Sequence, residues 1–144
     1  MKKINVLLVD DQTVVREGMA AILSFYPEIE VVGQATDGIQ ALELVRQIKP
    51  DVVLLDINMP GRSGLDVLEE IKRLHPQLPV LVLSAFSEED YAVRAIKLGA
   101  YHFLTKDADP DVFRALARHA GERQDLNRHV LTLQDAAGDA AAHD

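Results

Sequence analysis

The stretch VVLLDINMPG, residues 52–61, runs from four β-prone apolar residues into one carboxylate and then into a loop. The apolar run does not alternate with polar residues, which predicts a strand covered on both faces, as in a parallel sheet. The Pro60-Gly61 pair ends this segment and begins a loop. Asp56 is therefore expected at the carboxyl end of a central strand, where open α/β sheets place their ligand sites.

Apolar runs and helical patterns alternate along the rest of the chain. Strands are predicted over residues 4–9, 29–35, 52–56, 80–84 and 101–105. Helices are predicted over residues 14–24, 39–48, 64–74 and 88–98, with a last one opening at Asp109-Pro110. Five such units predict a parallel sheet with right-handed crossovers. Because five strands are too few for a closed barrel, we expect a flavodoxin-like (βα)5 doubly wound five-stranded parallel sheet, strand order 2-1-3-4-5.

The composition of the chain changes near its end. A core-facing stripe of the last helix is expected at Val112, Leu116 and Ala120, and Gly121 is expected to weaken or end that helix. Further helical spacing follows over residues 122–134, before a small, polar and acidic stretch. We therefore predict a folded domain over residues 1–121, and a linker helix with a disordered tail over residues 122–144.

Length, net charge and cysteine content exclude several classes of protein and site. The 144 residues allow one well-buried domain with a short appendage. The net charge of −8 argues against nucleic-acid binding by this segment and against an anionic membrane surface. The absence of cysteine excludes disulfides and thiolate metal sites. The apolar run near the start is too short for a secretory or spanning segment, so we expect a soluble, cytoplasmic protein.

Polar side chains follow four of the predicted strands where those strands end. They are Asp10-Asp11, Asp56, Ser84 and Lys106. Three carboxylates crowded together repel one another unless one is protonated or a cation joins them. Since only oxygen ligands are present, the cation is expected to be hard, with Mg²⁺ preferred. The ammonium of Lys106 and the hydroxyl of Ser84 could each meet a phosphoryl oxygen.

Four segments carry a family resemblance that covers roughly residues 3–120. They are VLLVDDQ at 6–12, LLDINMPGRSGLDVL at 54–68, VLVLSA at 80–85 and GAYHFLTK at 99–106. In this order and at these separations they resemble the receiver domain of two-component response regulators. DDQTVVREGM and VVGQATDG look like the NarL/FixJ-like (LuxR-type) subfamily. The chain departs from that pattern at Gln12-Thr13, where His-Pro is frequent, and at His102, where a small residue is usual.

The resemblance implies a set of roles. A sensor histidine kinase would phosphorylate Asp56, with Mg²⁺ held by Asp10, Asp11, Asp56 and the backbone carbonyl of Asn58. Ser84 and Lys106 would contact the phosphoryl group, and Ser84 with Phe103 would form the switch. The domain would act in signalling rather than as an enzyme, and it would form a phosphorylation-dependent homodimer. DNA would be bound only through a C-terminal domain that this sequence does not contain.

One alternative stays open, and named residues disfavour two others. The chain could be a stand-alone receiver that acts through protein contacts. A phosphohydrolase with an aspartyl-phosphate intermediate would need a second acid two residues after the nucleophile, where this chain has Asn58. A flavin-binding module would need a hydroxyl- and glycine-rich loop after the first strand, where this chain has Asp10-Asp11-Gln12.

Overall fold

The computed structural model describes residues 3–57, 63–85 and 89–123, and it confirms the predicted alternation of strands and helices. The strands are β1 (Ile4–Val9), β2 (Ile29–Ala35), β3 (Val52–Asp56), β4 (Val80–Ser84) and β5 (His102–Thr105). The helices are α1 (Thr13–Leu23), α2 (Gly38–Ile48), α3 (Gly64–Leu74) and α4 (Glu89–Lys97), with α5 over residues 110–123. In these described ranges, none of the helices has the length and apolarity needed to span a bilayer.

All five strands are parallel and lie in the order β2-β1-β3-β4-β5, which confirms the flavodoxin-like doubly wound sheet. Their ends are in register. Val9 lies opposite Leu55, and Asp56 lies opposite Leu83. Ser84 lies opposite Thr105. The residues that follow β1, β3, β4 and β5 therefore meet at one edge of the sheet.

Two apolar layers cover the sheet, one on each face. One layer packs α2, α3 and α4 against the sheet, and the other packs α1 and α5 against it. Every residue of β3 is buried, as is every residue of β4. The uninterrupted apolar runs of these two strands are explained by this two-sided burial.

Polar side chains fix the starts of three helices. Ser63 Oγ accepts a hydrogen bond from Leu65 N at 3.2 Å and so caps α3. Asp37 caps α2 in the same way. Asp109 Oδ1 accepts from Asp111 N at 2.9 Å at the start of α5. These caps set where each helix leaves its preceding strand.

The prediction for α5 is only partly right. Ala120 is buried and Leu116 packs against the core as predicted, whereas Val112 is 41% exposed and Phe113 and Ala117 are buried instead. Gly121 does not end the helix, which continues through it to residue 123, the last residue that the structure describes. A Cβ at Gly121 would lie 2.8 Å from Ile4 Cγ2, so the glycine allows close packing of the helix on β1 rather than ending it. Residues 124–144, which hold most of the predicted linker and tail, lie outside the described residues.

Gly64 allows the amino end of α3 to contact the end of β3. A Cβ at this position would lie 2.2 Å from Ile57 Cα and 2.8 Å from the main-chain oxygen of Asp56. Both neighbours are backbone atoms that no rotamer change can move aside. Substitution at Gly64 must therefore displace either α3 or the segment that carries Asp56.

Gly64→Ala is expected to lower the free energy of unfolding by about 2 kcal/mol or more, because it overpacks a buried backbone contact. Gly18→Ala is the matched control, since nothing lies within 4 Å of the added Cβ in the middle of α1. That variant is expected to gain about 0.5–1 kcal/mol from helix propensity. Urea unfolding of the parent and both variants measures these changes in the free energy of unfolding. Equal stability of the two variants would contradict the close approach at Gly64.

Candidate functional site

Three carboxylates converge at the carboxyl edge of the sheet, as the sequence predicts. Asp10 and Asp11 directly follow β1, and Asp56 is the last residue of β3. One carboxylate oxygen from each lies within 4.8 Å of the other two. Asp10 and Asp56 are buried, and Asp11 is half-buried. This crowding of like charges in a largely buried site is unfavourable unless positive charge compensates for it.

Lys106 supplies part of that positive charge. Its Nζ lies 3.1 Å from Asp56 Oδ2 and 3.2 Å from Asp10 Oδ2. The lysine is held in place by its main chain, because Lys106 N donates to the carbonyl oxygen of Ser84 at 2.8 Å. The ammonium group therefore lies between two of the three acids.

Burial would lower the pKa of Lys106, but the attraction of Asp56 and then Asp10 outweighs burial and raises this pKa above its ordinary value of 10.5. Lys106 is therefore protonated at neutral pH. The stabilisation that it provides is complete below its unfolded-state pKa. It is lost only as the pH rises through the higher folded-state pKa.

Asp10 and Asp11 differ in their hydrogen bonds. Asp10 Oδ1 accepts a hydrogen bond from Gln12 N at 2.9 Å, and Asp10 N donates to the carbonyl of Ala35 at 3.0 Å. Asp11 Oδ1 is buried, yet it accepts no hydrogen bond from any residue that the structure describes. A buried carboxylate oxygen in this position needs a cation or a donor.

The donor set fits Mg²⁺. Oxygen atoms from three carboxylates lie close enough to share one ion. Hard oxygen ligands and a partly open site are typical of Mg²⁺ centres that also hold a phosphate. The predicted fourth ligand, the backbone carbonyl of Asn58, lies outside the described residues. The carboxylates of Asp10, Asp11 and Asp56 thus fit a hard divalent cation.

The two predicted switch residues lie on adjacent strands. Ser84 is the last residue of β4 and is buried, one strand from Asp56. Phe103 lies on β5, half-buried, and packs against the apolar layer of α2, α3 and α4. The structure therefore places Ser84 at the edge of the sheet that carries Asp56 and Phe103 opposite Val82 on the next strand, and their roles in switching stay predictions.

Arg16 contacts the acid pair, and the sequence did not reveal this. The side chain lies in α1, where Nη1 donates to the main-chain oxygen of Asp10 at 2.8 Å. Nε donates to Gln34 Oε1 on β2 at 2.9 Å. The available signal was a cationic side chain in the first turn of the helix that begins at Thr13, two residues after Asp11.

The comparisons with known proteins agree with this site. The family model described as response regulator receiver domain matches residues 6–118. The chain therefore belongs to the response regulator receiver domain family. Its sequence and structural relatives mark it as a receiver of the NarL/FixJ-like type.

Three relatives illustrate the similarity. The nitrate/nitrite response regulator protein NarL of Escherichia coli K12 is 39% identical over 134 residues, which are 92% of this chain and 62% of that protein. The transcriptional regulatory protein DegU of Brevibacillus brevis is 41% identical over 109 residues, 76% of this chain and 46% of that protein. The receiver domain of the putative response regulator NarL from Mycobacterium tuberculosis is 36% identical, with a TM-score of 0.75, and the match covers 83% of this chain and 98% of that one. The chain thus spans about half to three fifths of the length of these two curated relatives.

Proposed function

We propose that this receiver accepts a phosphoryl group on Asp56 from the phosphohistidine of a sensor kinase in a Mg²⁺-dependent reaction. The observation that carries the proposal is the convergence of Asp10, Asp11 and Asp56, with Lys106 Nζ 3.1 Å from Asp56 Oδ2. Asp56 is the candidate nucleophile because it ends the central strand next to a protonated lysine. A cytoplasmic location, shared with the kinase domain, is part of the same proposal.

The proposed phosphoryl transfer forms one bond to phosphorus and breaks another. A carboxylate oxygen of Asp56 attacks the phosphorus atom and forms an O–P bond. The P–N bond to the kinase histidine breaks, and the imidazole leaves with the electron pair and takes up a proton. Lys106 neutralises charge on the incoming phosphoryl oxygens by charge-assisted hydrogen bonding. Bound Mg²⁺ would offset the remaining negative charge at the acid cluster.

We expect phosphorylation of Asp56 to change the packing on the neighbouring strands β4 and β5. A phosphoryl group on Asp56 adds acceptor oxygens and negative charge, which would draw Lys106 and the hydroxyl of Ser84 toward it. Movement of Ser84 at the end of β4 would change the packing around Phe103 on the neighbouring strand. We propose that β5, α4 and α5 form the output face, because β5 is the edge strand next to β4 and Ser84, and the two helices pack on opposite faces of the sheet.

Transcription regulation is the preferred output. It is supported by the names of the relatives, a transcriptional regulatory protein and a nitrate/nitrite response regulator. The net charge of −8 makes this segment a poor DNA-binding surface, so DNA contact would be made by another domain. A stand-alone receiver that acts through protein contacts is the second candidate. A phosphohydrolase is disfavoured because Asn58 replaces the acid that such an enzyme needs two residues after its nucleophile.

Incubation with acetyl phosphate and Mg²⁺ tests the phosphoryl acceptor. Intact-mass analysis is expected to show one added phosphoryl group on the parent chain and none on Asp56→Asn. Asp37→Asn is the matched control, because Asp37 is an exposed acid near the end of β2 and asparagine keeps its helix-capping ability. This control is expected to label like the parent. Full labelling of Asp56→Asn, or labelling that survives removal of Mg²⁺ with a chelator, would sink the assignment.

Sedimentation with and without beryllofluoride tests the output face. The phosphoryl mimic is expected to shift the parent from monomer to homodimer. Ile96 on α4 and Val112 on α5 are 51% and 41% exposed, which leaves apolar surface for a partner. Ile96→Glu is therefore expected to keep the chain monomeric while leaving phosphorylation intact. A mass that does not change on adding beryllofluoride would rule out the proposed dimer.

A further inference from the structure

Arg16 links three parts of the molecule that converge beside the acid cluster. Its own backbone belongs to α1, its Nη1 holds the main-chain oxygen of Asp10 at the end of β1, and its Nε holds Gln34 on β2. The planar guanidinium can make both bonds at once because its N–H groups have a fixed fork geometry. An ammonium group in its place has no such planar fork.

A β-bulge places Gln34 where Arg16 can reach it. The register of β1 and β2 shifts so that Val6 lies opposite Val31 but Leu7 lies opposite Gly33, which makes Val32 the extra residue. Gln34 consequently pairs with Leu8, whose side chain packs in the layer formed with α1 and α5. Without the extra residue, Gln34 would lie opposite Val9 and face the other side of the sheet.

The bond to Asp10 fixes the peptide that joins the two acids. The oxygen that Arg16 holds belongs to the Asp10–Asp11 peptide group, so its orientation decides in which direction Asp11 leaves the strand. Asp10 has further tethers at Gln12 N and Lys106 Nζ. Asp11 Oδ1 receives no hydrogen bond from the residues that the structure describes. Arg16 therefore has its largest effect on the direction of the Asp11 carboxylate.

Arg16 also brings positive charge to the cluster without occupying a carboxylate oxygen. Its bond goes to the main chain, so the carboxylate oxygens of Asp10 and Asp11 stay available to a cation. A direct ion pair, such as the one that Lys106 makes, competes for those oxygens.

We propose that Arg16, held by Gln34, is a positioning residue that sets the Asp10–Asp11 pair for Mg²⁺ binding. This inference rests on the proposed phosphoryl-acceptor function, and it assigns a role to the arginine of α1 and the bulged strand β2. Residues that orient metal ligands typically contribute 10- to 100-fold to metal affinity.

The direction of the change in Mg²⁺ affinity distinguishes a positioning role of Arg16 from an effect of its charge. Loss of a nearby positive charge should tighten the binding of a cation, because like charges repel. Loss of a positioning contact should weaken it. Arg16→Ala removes both the charge and the contact, Gln34→Ala removes only one anchor without a change of charge, and Arg16→Lys keeps the charge without the fork.

Titration with Mg²⁺ alone, followed by amide chemical shifts, measures the affinity of each variant. We expect Arg16→Ala to weaken Mg²⁺ binding about 10-fold. Gln34→Ala and Arg16→Lys are expected to weaken it by a smaller factor. Arg46→Ala, an exposed arginine on α2, is the control and is expected to match the parent. In acetyl phosphate labelling, the Arg16 variants should need more Mg²⁺ for half-maximal labelling but reach the parent's extent at saturation.

Several outcomes would overturn the proposal. One is unchanged or tighter Mg²⁺ binding in Arg16→Ala and Gln34→Ala. Another is full parental affinity in Arg16→Lys, which would show that the planar fork of the guanidinium is not needed to position the acid pair. If Arg16→Ala fails to fold, Gln34→Ala decides, because its side chain is exposed and its loss leaves no buried cavity. A parent that binds Mg²⁺ but is not labelled would contradict the proposed function, whereas a labelled parent with unaffected variants would contradict only this inference.

Discussion

The crowding of three carboxylates at one edge of the sheet is the constraint on which the rest of this structure depends. Asp10, Asp11 and Asp56 approach within 4.8 Å in a largely buried site. Lys106 contacts two of them, and among the described residues it is the ammonium that forms ion pairs with the cluster. A fold that keeps such a cluster gives up stability that a neutral site would retain, which is typical of functional sites.

The fold supplies the rigidity that this crowding requires. Aligned strand ends bring the acids together, and the buried strands on both sides prevent them from moving apart. The backbone contact at Gly64 presses α3 against the Asp56–Ile57 segment. The bond from Lys106 N to the carbonyl of Ser84 fixes the start of the lysine side chain. The site proposed for Mg²⁺ binding and phosphorylation is therefore already assembled in this structure.

The sequence predicted much of this arrangement for physical reasons. The uninterrupted apolar run before Asp56 indicated two-sided burial, and parallel strands then required the acids, Ser84 and Lys106 to share one edge. The predicted stripe of α5 was wrong at Val112, because the apolar residues of this helix fit two overlapping stripes. Periodicity alone did not show that Phe113, the bulkiest of them, would be buried in place of Val112.

Contacts between distant side chains could not be predicted in the same way. The bond from Arg16 to Gln34 depends on one extra residue in β2, and an apolar run with a glycine does not reveal where such a bulge lies. The prediction that Gly121 weakens or ends α5 was based on helix propensity alone. Propensity does not show that this glycine packs against Ile4 of β1. Register and close packing are properties of the assembled sheet, so they appear only in the structure.

The most direct test of the acid cluster is the free energy of unfolding in urea with Mg²⁺ and with a chelator, for the parent and for Asp11→Asn. Mg²⁺ is expected to stabilise the parent, because the ion would bind the folded cluster and not the unfolded chain. Asp11→Asn should be more stable than the parent in chelator by about 1 kcal/mol, since it removes one of three crowded like charges, and should gain little from Mg²⁺. Glu69→Gln, an exposed acid on α3, should behave like the parent. If the free energy of unfolding of the parent is the same with and without Mg²⁺, the acid cluster does not bind the ion and the proposed Mg²⁺ site is wrong.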